Sequence, residues 1–300
     1  MTNTKVNICG VEFKNPIIAA SGTFGVGREY EKFFDLSKLG GISTLGVTYD
    51  SRPGNTGIRI FETPSGMINS IGLENPGVKA FVQDEIPFLE SLDTRVLVNV
   101  SGSYIDEYLK IIEEINDTNI DFIELNISCP NVKEGGMAFG IKCDSAFDIV
   151  TQAKKISKKP MIVKLSPNAE DIIEMGIACE EAGADGLSLV NTFKAMAIDI
   201  ENRKPVFDNV TAGLSGPAIK PIALRMVYEV CKNVNIPVIG LGGIMNYKDV
   251  LEYIMAGATA VQIGTATFSD PLAMVKIIED LESYMEKNNI KNLEEIRGII

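Results

Sequence analysis

The chain has 300 residues, 45% hydrophobic and 23% charged, which is enough apolar material for a sizeable core and too much for a disordered protein. With 40 acidic against 28 basic residues the net charge is −12, which repels phosphate backbones and anionic lipid and argues against nucleic acid or a membrane as partner. There is no histidine, so the usual general base, the Ser-His-Asp triad and the commonest metal ligand are excluded, and proton transfer falls to Cys, Asp, Glu, Lys, Tyr, Ser or Thr.

The opening MTNTKVNICGVEF has no positive region followed by an apolar run, and no later apolar stretch reaches membrane-spanning length, so a cytoplasmic location is expected. Its VNICGVEF segment predicts a hairpin turning at Cys9-Gly10 and closing the bottom of a larger fold. Eight short, continuously apolar runs follow: PIIAA (16–20), GISTLGV (41–47), VLVNV (96–100), FIELNI (122–127), MIVKL (161–165), GLSLV (186–190), PVIGL (237–241) and AVQIG (260–264). Such runs fit parallel strands covered on both faces. Helical patterns alternate with them, at about 75–91, 103–117, 144–157, 169–183, 218–233, 246–256 and 271–288. In SYIDEYLKIIEEIND, for example, Ile105, Tyr108, Leu109, Ile112 and Ile115 keep helical spacing. The pattern predicts one domain over residues 1–300, a (β/α)8 TIM barrel, with a doubly wound sheet as the less regular alternative. Two long connections, roughly 48–74 and 191–216, follow strand C-termini and are expected to cover the face where barrel active sites sit.

Cys9, Cys129, Cys143, Cys179 and Cys231 are odd in number and form no C-x-x-C pair, so neither a disulfide framework nor a metal site is expected. On residues alone Cys129 is more often a packed thiol than a reactive one, although Pro130 holds it out of helical conformation. Polar or glycine residues break the apolar runs at one end: Ser21-Gly22, Leu45-Gly46, Asn99, Asn126 with Ser128-Cys129, Lys164, Asn191-Thr192, Gly242-Gly243 and Gly264-Thr265. The glycine pairs after the last two strands suit a phosphate held on backbone N–H groups, unless they merely permit tight turns. A G-x-G-x-x-G opening a helix is absent, which points to a mononucleotide. Lys164 inside a buried strand needs an anion or a polarised carbonyl, and with Asn99, Asn126 and Asn191 it suits a flavin or a pyrimidine edge.

NSIGLENPG (69–77), NISCPNVKEGGMAFG (126–140), GLSGPAIKP (213–221), GLGGI (240–244) and IGTA (263–266) together resemble the dihydroorotate dehydrogenases, over nearly the whole chain. NVKEGGMAFG and GLSGPAIKP are similar to class 1B. That resemblance implies FMN in this chain, a partner subunit carrying FAD and a [2Fe-2S] cluster that passes electrons to NAD, and a heterotetramer of two catalytic and two electron-transfer subunits around a homodimer core. It implies oxidation of dihydroorotate to orotate in pyrimidine (UMP) biosynthesis, Cys129 removing the C5 proton while hydride leaves C6 for the flavin. By the same resemblance Ser21, Leu45, Gly46, Asn99, Asn126, Lys164, Val190, Gly216, Gly242, Gly243, Gly264 and Thr265 contact the cofactor. Asn69, Ser70, Ile71, Gly72, Leu73, Asn126, Asn191 and Thr192 contact the substrate.

One position departs from the pattern. The family usually carries a lysine just before Gly46, contacting flavin and the orotate carboxylate, and here it is Leu45. Losing a charge-assisted hydrogen bond costs about 1.5–3 kcal/mol. Leu45 is also the best support for an alternative, an FMN-dependent reductase of another pyrimidine; a fumarate-linked class 1A-like enzyme and a flavin-binding scaffold subunit are further readings.

Overall fold

The computed structural model describes residues 2–128 and 139–300. A hairpin of β1 (Val6–Ile8) and β2 (Val11–Phe13) opens the chain. Cys9 and Gly10 turn it with positive φ, and Cys9 Sγ donates to the Asp185 carbonyl just ahead of a barrel strand. Phe13, fully buried, lies 5.7 Å from the Phe122 ring, centroid to centroid. The hairpin thus plugs the N-terminal end of the barrel, as the sequence predicts, and Cys9 is structural.

Next come β3 (Ile17–Ala19) and β4 (Gly41–Ser43), then the outlying β5 (Ile60–Thr63) and β6 (Gly66–Asn69). They are followed by β7 (Arg95–Val100), β8 (Phe122–Asn126), β9 (Met161–Lys164) and β10 (Gly186–Leu189). Four short strands, β11 (Phe193–Met196), β12 (Ile198–Asp199), β13 (Lys204–Pro205) and β14 (Thr211–Ser215), precede β15 (Val238–Leu241) and β16 (Ala260–Ile263). The parallel strands β3, β4, β7, β8, β9, β10, β15 and β16 close into a barrel in that order. These are the eight expected runs. Residues of β9, β10, β15 and β16 are buried at every position, because side chains of one parity fill the interior and those of the other meet the surrounding helices.

Helices lie at Ile105–Ile115, Cys143–Ile156, Ile172–Glu181, Lys220–Cys231, Tyr247–Met255 and Ala273–Lys287, within a residue or a few of the periodic segments. The first of these buries Tyr108, Ile111, Ile112 and Ile115. The segment expected as one helix at 75–91 is instead helical over Val78–Ala80, a π turn over Phe81–Glu85 and helical again over Ile86–Glu90. Pro87 has no N–H to offer the preceding turn, and the wider π turn ahead of it absorbs that missing bond. Among the described residues no helix is long and apolar enough to cross a membrane.

The two long connections are not independent loops. β5 and β6 form a hairpin, β11 and β14 another, and β6 pairs antiparallel with β14, giving one four-stranded sheet in the order β11-β14-β6-β5. Gly213 stands opposite Asn69, Leu214 opposite Ile68 and Ser215 opposite Met67. Close approach requires glycine here: a Cβ on Gly66 would lie 2.1 Å from the Ser215 carbonyl oxygen. The run expected as one strand at 41–47 also differs, stopping at Ser43 and rejoining β7 as a bridge at Val47, with Thr44, Leu45 and Gly46 between.

Candidate active site

TIM-barrel interiors are normally filled by branched apolar side chains. Here the level toward the C-terminal end of the strands is polar. Glu124 of β8 is fully buried, and both of its oxygens are held: Oε2 accepts from Ser43 Oγ at 2.6 Å and Asn99 Nδ2 at 2.7 Å, Oε1 from Gln262 Nε2 at 2.6 Å and Ser188 Oγ at 2.8 Å. Lys164 of β9, also buried, stands 3.9 Å from Glu124 Oε2 and donates to Ser21 Oγ at 3.0 Å. Burial pushes the Glu124 carboxyl up, but the Lys164 ammonium and the hydrogen bonds from Ser43, Asn99 and Gln262 outweigh it and hold the group below the usual carboxylate range. A buried ion pair with its lone pairs satisfied is the arrangement such charges need.

Glu124 and Asn126 are two residues apart on one strand, so both face inward. Asn126 Nδ2 donates to Asn99 Oδ1 at 3.1 Å, and Asn126 Oδ1 accepts from the Ser128 hydroxyl at 2.6 Å. Asn191 Nδ2 donates to Ser128 Oγ, and Asn191 Oδ1 accepts from the Thr192 N–H at 2.7 Å. Ser21, Lys164, Asn99, Asn126, Asn191 and Thr192 are therefore joined in one polar array. Gly46 adjoins it: a Cβ there would lie 3.2 Å from Asn99 Oδ1 and 3.0 Å from Leu73 Cδ2. Leu45 is half-buried and packs against the core.

A second group of expected residues gathers beside β15 and β16. Gly242 and Gly243 both have positive φ, and a Cβ on Gly243 would lie 2.8 Å from the Gly216 carbonyl oxygen and 2.9 Å from Lys220 N, at the start of the helix Lys220–Cys231. Thr265 Oγ1 donates to Ser215 Oγ at 2.8 Å. Among the described residues the backbone N–H groups of Gly243 and Thr265 have no acceptor. Tyr253 secures the turn by donating to the Gly242 carbonyl at 2.8 Å. A Cβ on Gly264 would meet Ala20 and Thr23 at ordinary contact distance, so the last strand end lies beside the first. Val190 follows a cis peptide after Leu189.

The substrate-motif residues of the first connection divide. Asn69 Nδ2 donates to the Gly213 carbonyl at 3.3 Å, across the seam of the four-stranded sheet. Ser70 and Ile71 accept from Asn55, Gly72 packs on Asn55, and Leu73 accepts from Asn75, so these backbones are tied into the connection itself. Cys129, with the rest of 129–138, lies outside the described residues.

Sequence reasoning missed Glu124, Ser43, Ser188 and Gln262, and noted Ser128 only as a polar strand-end residue beside Cys129. The signal for Glu124 was present: a lone carboxylate within FIELNI is as costly in a buried strand as the lysine in MIVKL. The small hydroxyls carry no such mark, since serine in a strand is common.

A family model for dihydroorotate dehydrogenase matches residues 3–285. This chain belongs to the dihydroorotate dehydrogenase family. It is 63% identical over 300 residues to the dihydroorotate dehydrogenase B (NAD(+)) catalytic subunit of Petrotoga mobilis, with all of both chains covered. The proteins of the same name from Caldicellulosiruptor bescii and Bacteroides thetaiotaomicron are 53% and 51% identical, each comparison covering 99% or more of both chains. The dihydroorotate dehydrogenase resemblance read from the motifs and the barrel read from the apolar runs therefore agree with both comparison and structure.

Proposed function

We propose that this chain is the catalytic subunit of a class 1B dihydroorotate dehydrogenase, oxidising dihydroorotate to orotate at the polar end of the barrel. The observation that carries the reading is the buried Lys164 beside Ser21, Asn99 and Glu124, a cation with donors to spare at the barrel mouth. The residues fit FMN. Ser21, Asn99, Asn126 and Lys164 offer the polar contacts for its ring, with Leu45, Gly46 and Val190 alongside. The free N–H groups of Gly243 and Thr265, together with Gly216, Gly242 and Gly264, form the phosphate cradle, with the backbones at Gly216, Gly242 and Gly243 packed too closely on their neighbours to carry a side chain. Bound there, FMN supplies the acceptor for the hydride that leaves C6 of dihydroorotate.

Cys129 takes the C5 proton as that hydride leaves, so that a C5=C6 double bond forms and orotate results. Asn69, Ser70, Ile71, Gly72, Leu73, Asn126, Asn191 and Thr192 hold the substrate. The electrons pass to NAD through a second subunit carrying FAD and a [2Fe-2S] cluster, in a cytoplasmic heterotetramer built on a homodimer of this chain. The names of the full-length relatives, catalytic subunits of NAD(+)-linked enzymes, support this assignment.

The test is spectral. Purified protein should be yellow, and dihydroorotate added without oxygen should bleach the flavin band. Cys129→Ser should keep the flavin and lose nearly all bleaching. A flavin that dihydroorotate leaves oxidised but dihydrouracil bleaches would replace this reading with that of a reductase for another pyrimidine.

A further inference from the structure

Glu124 ends a hydrogen-bonded chain that reaches the residues proposed to hold the substrate. An ionised carboxylate can only accept, so Asn99 turns its NH2 group toward Glu124 Oε2 and its carbonyl away. That carbonyl accepts from Asn126, whose own carbonyl accepts from both the N–H and the hydroxyl of Ser128; Ser128 Oγ then accepts from Asn191. Each link follows the sense of the one before. Flipping a single amide would set donor against donor or acceptor against acceptor in a buried site, which costs about 1–3 kcal/mol. The carboxylate cannot swing away to permit a flip, because Ser188 and Gln262 hold its other oxygen.

Each asparagine NH2 group has two N–H donors and commits one to the chain. Asn126 and Asn191 therefore keep one apiece, and the chain's direction makes these groups donors rather than acceptors. A planar ring rich in carbonyl and carboxylate oxygens matches such a set. With the uncharged Leu45 where a cation would otherwise serve, fixed N–H donors carry more of the anion's recognition.

Resting on the function proposed above, we propose that Glu124 is a positioning residue: it sets the donor polarity of the Asn99–Asn126–Ser128–Asn191 chain toward the substrate and balances the charge of Lys164 in the flavin site.

The test uses the full chain with its bound flavin. Orotate binding, read from the flavin spectrum, is measured first on the unsubstituted protein, where its absence would overturn the proposed function itself. Glu124→Gln supplies an NH2 group where only acceptance was possible and removes the negative charge. It should weaken orotate about tenfold or more and move the flavin midpoint potential to a more positive value, because Lys164 is left unbalanced. If Glu124 only supports the fold, the variant will melt earlier and hold less flavin, while its flavin-loaded fraction keeps both potential and affinity; that result overturns the proposal. Should Glu124→Gln not accumulate as folded protein, Ser128→Ala carries the test, since it cuts the chain above Glu124 without touching the ion pair. It should weaken orotate about tenfold with the potential unmoved, and unchanged affinity overturns the proposal.

Discussion

At Leu45 the backbone is pinned on both sides: its N–H donates to the Gly25 carbonyl at 3.0 Å, and its carbonyl accepts from Thr44 Oγ1 at 3.0 Å. A lysine placed there would keep that backbone position and start its side chain beside Gly46, which itself adjoins Asn99 and Leu73. Leu45→Lys should therefore restore a charge-assisted contact and tighten orotate by roughly tenfold or more. Titration of the flavin spectrum checks it, and unchanged affinity would show that the anion is already fully met without a cation at this position. Lys164 and Glu124 show the complementary lesson. Each charge in an apolar strand left its mark in the sequence, the lysine in MIVKL and the carboxylate in FIELNI, but their pairing did not, because a buried pair is a relation between two strands and each strand displays only one half of it. The role proposed for Cys129 rests on its motif alone, since spacing does not distinguish a reactive thiol from a packed one and the residue lies outside those described.

The eight barrel strands could be read because a strand covered on both faces leaves a local mark, a continuous apolar run between turns. The sheet over the barrel mouth leaves none. Its strands are four or five residues long and largely half exposed or exposed, and its central pair joins β6 to β14 from the opposite half of the chain. Its geometry nevertheless positions Thr192, one of the residues proposed to hold the substrate. A Cβ on Gly213 would lie 2.1 Å from Thr192 Oγ1 and 2.7 Å from Thr192 Cβ, too close for a rotamer change alone to relieve. Gly213→Ala should push Thr192 aside and weaken orotate by about tenfold, on the scale of one lost hydrogen bond. A variant binding orotate normally would separate Thr192 from the substrate.

Across the whole molecule, thiols set an alkaline limit. Burial pushes Cys9, Cys179 and Cys231 from 9.0 up to about 12 each, aided at Cys9 by the Asp185 carboxylate and at Cys179 by Cys143. The folded state thus favours the protonated thiol, so stability is fully present below about pH 9 and declines as pH rises from there toward 12. The urea midpoint should fall between about pH 8 and pH 10.5, less steeply in Cys179→Ala, and equal slopes would discount the thiol. The activity expected of the proposed Cys129 thiolate would rise over the same range in which the fold begins to weaken.

The seam between β6 and β14 joins Asn69 to Gly213, 144 residues apart along the chain. During synthesis the β5–β6 hairpin must wait, the outer edge of β6 unpaired and Ile68 uncovered, until the ribosome has delivered the strand ending at Ser215. Long-range pairings of this kind form late, and a waiting sheet edge is the surface on which nascent chains stick to one another. This four-stranded sheet is thus the part of the molecule for which a holdase chaperone matters most, and slow translation through the middle of the gene would lengthen that exposure.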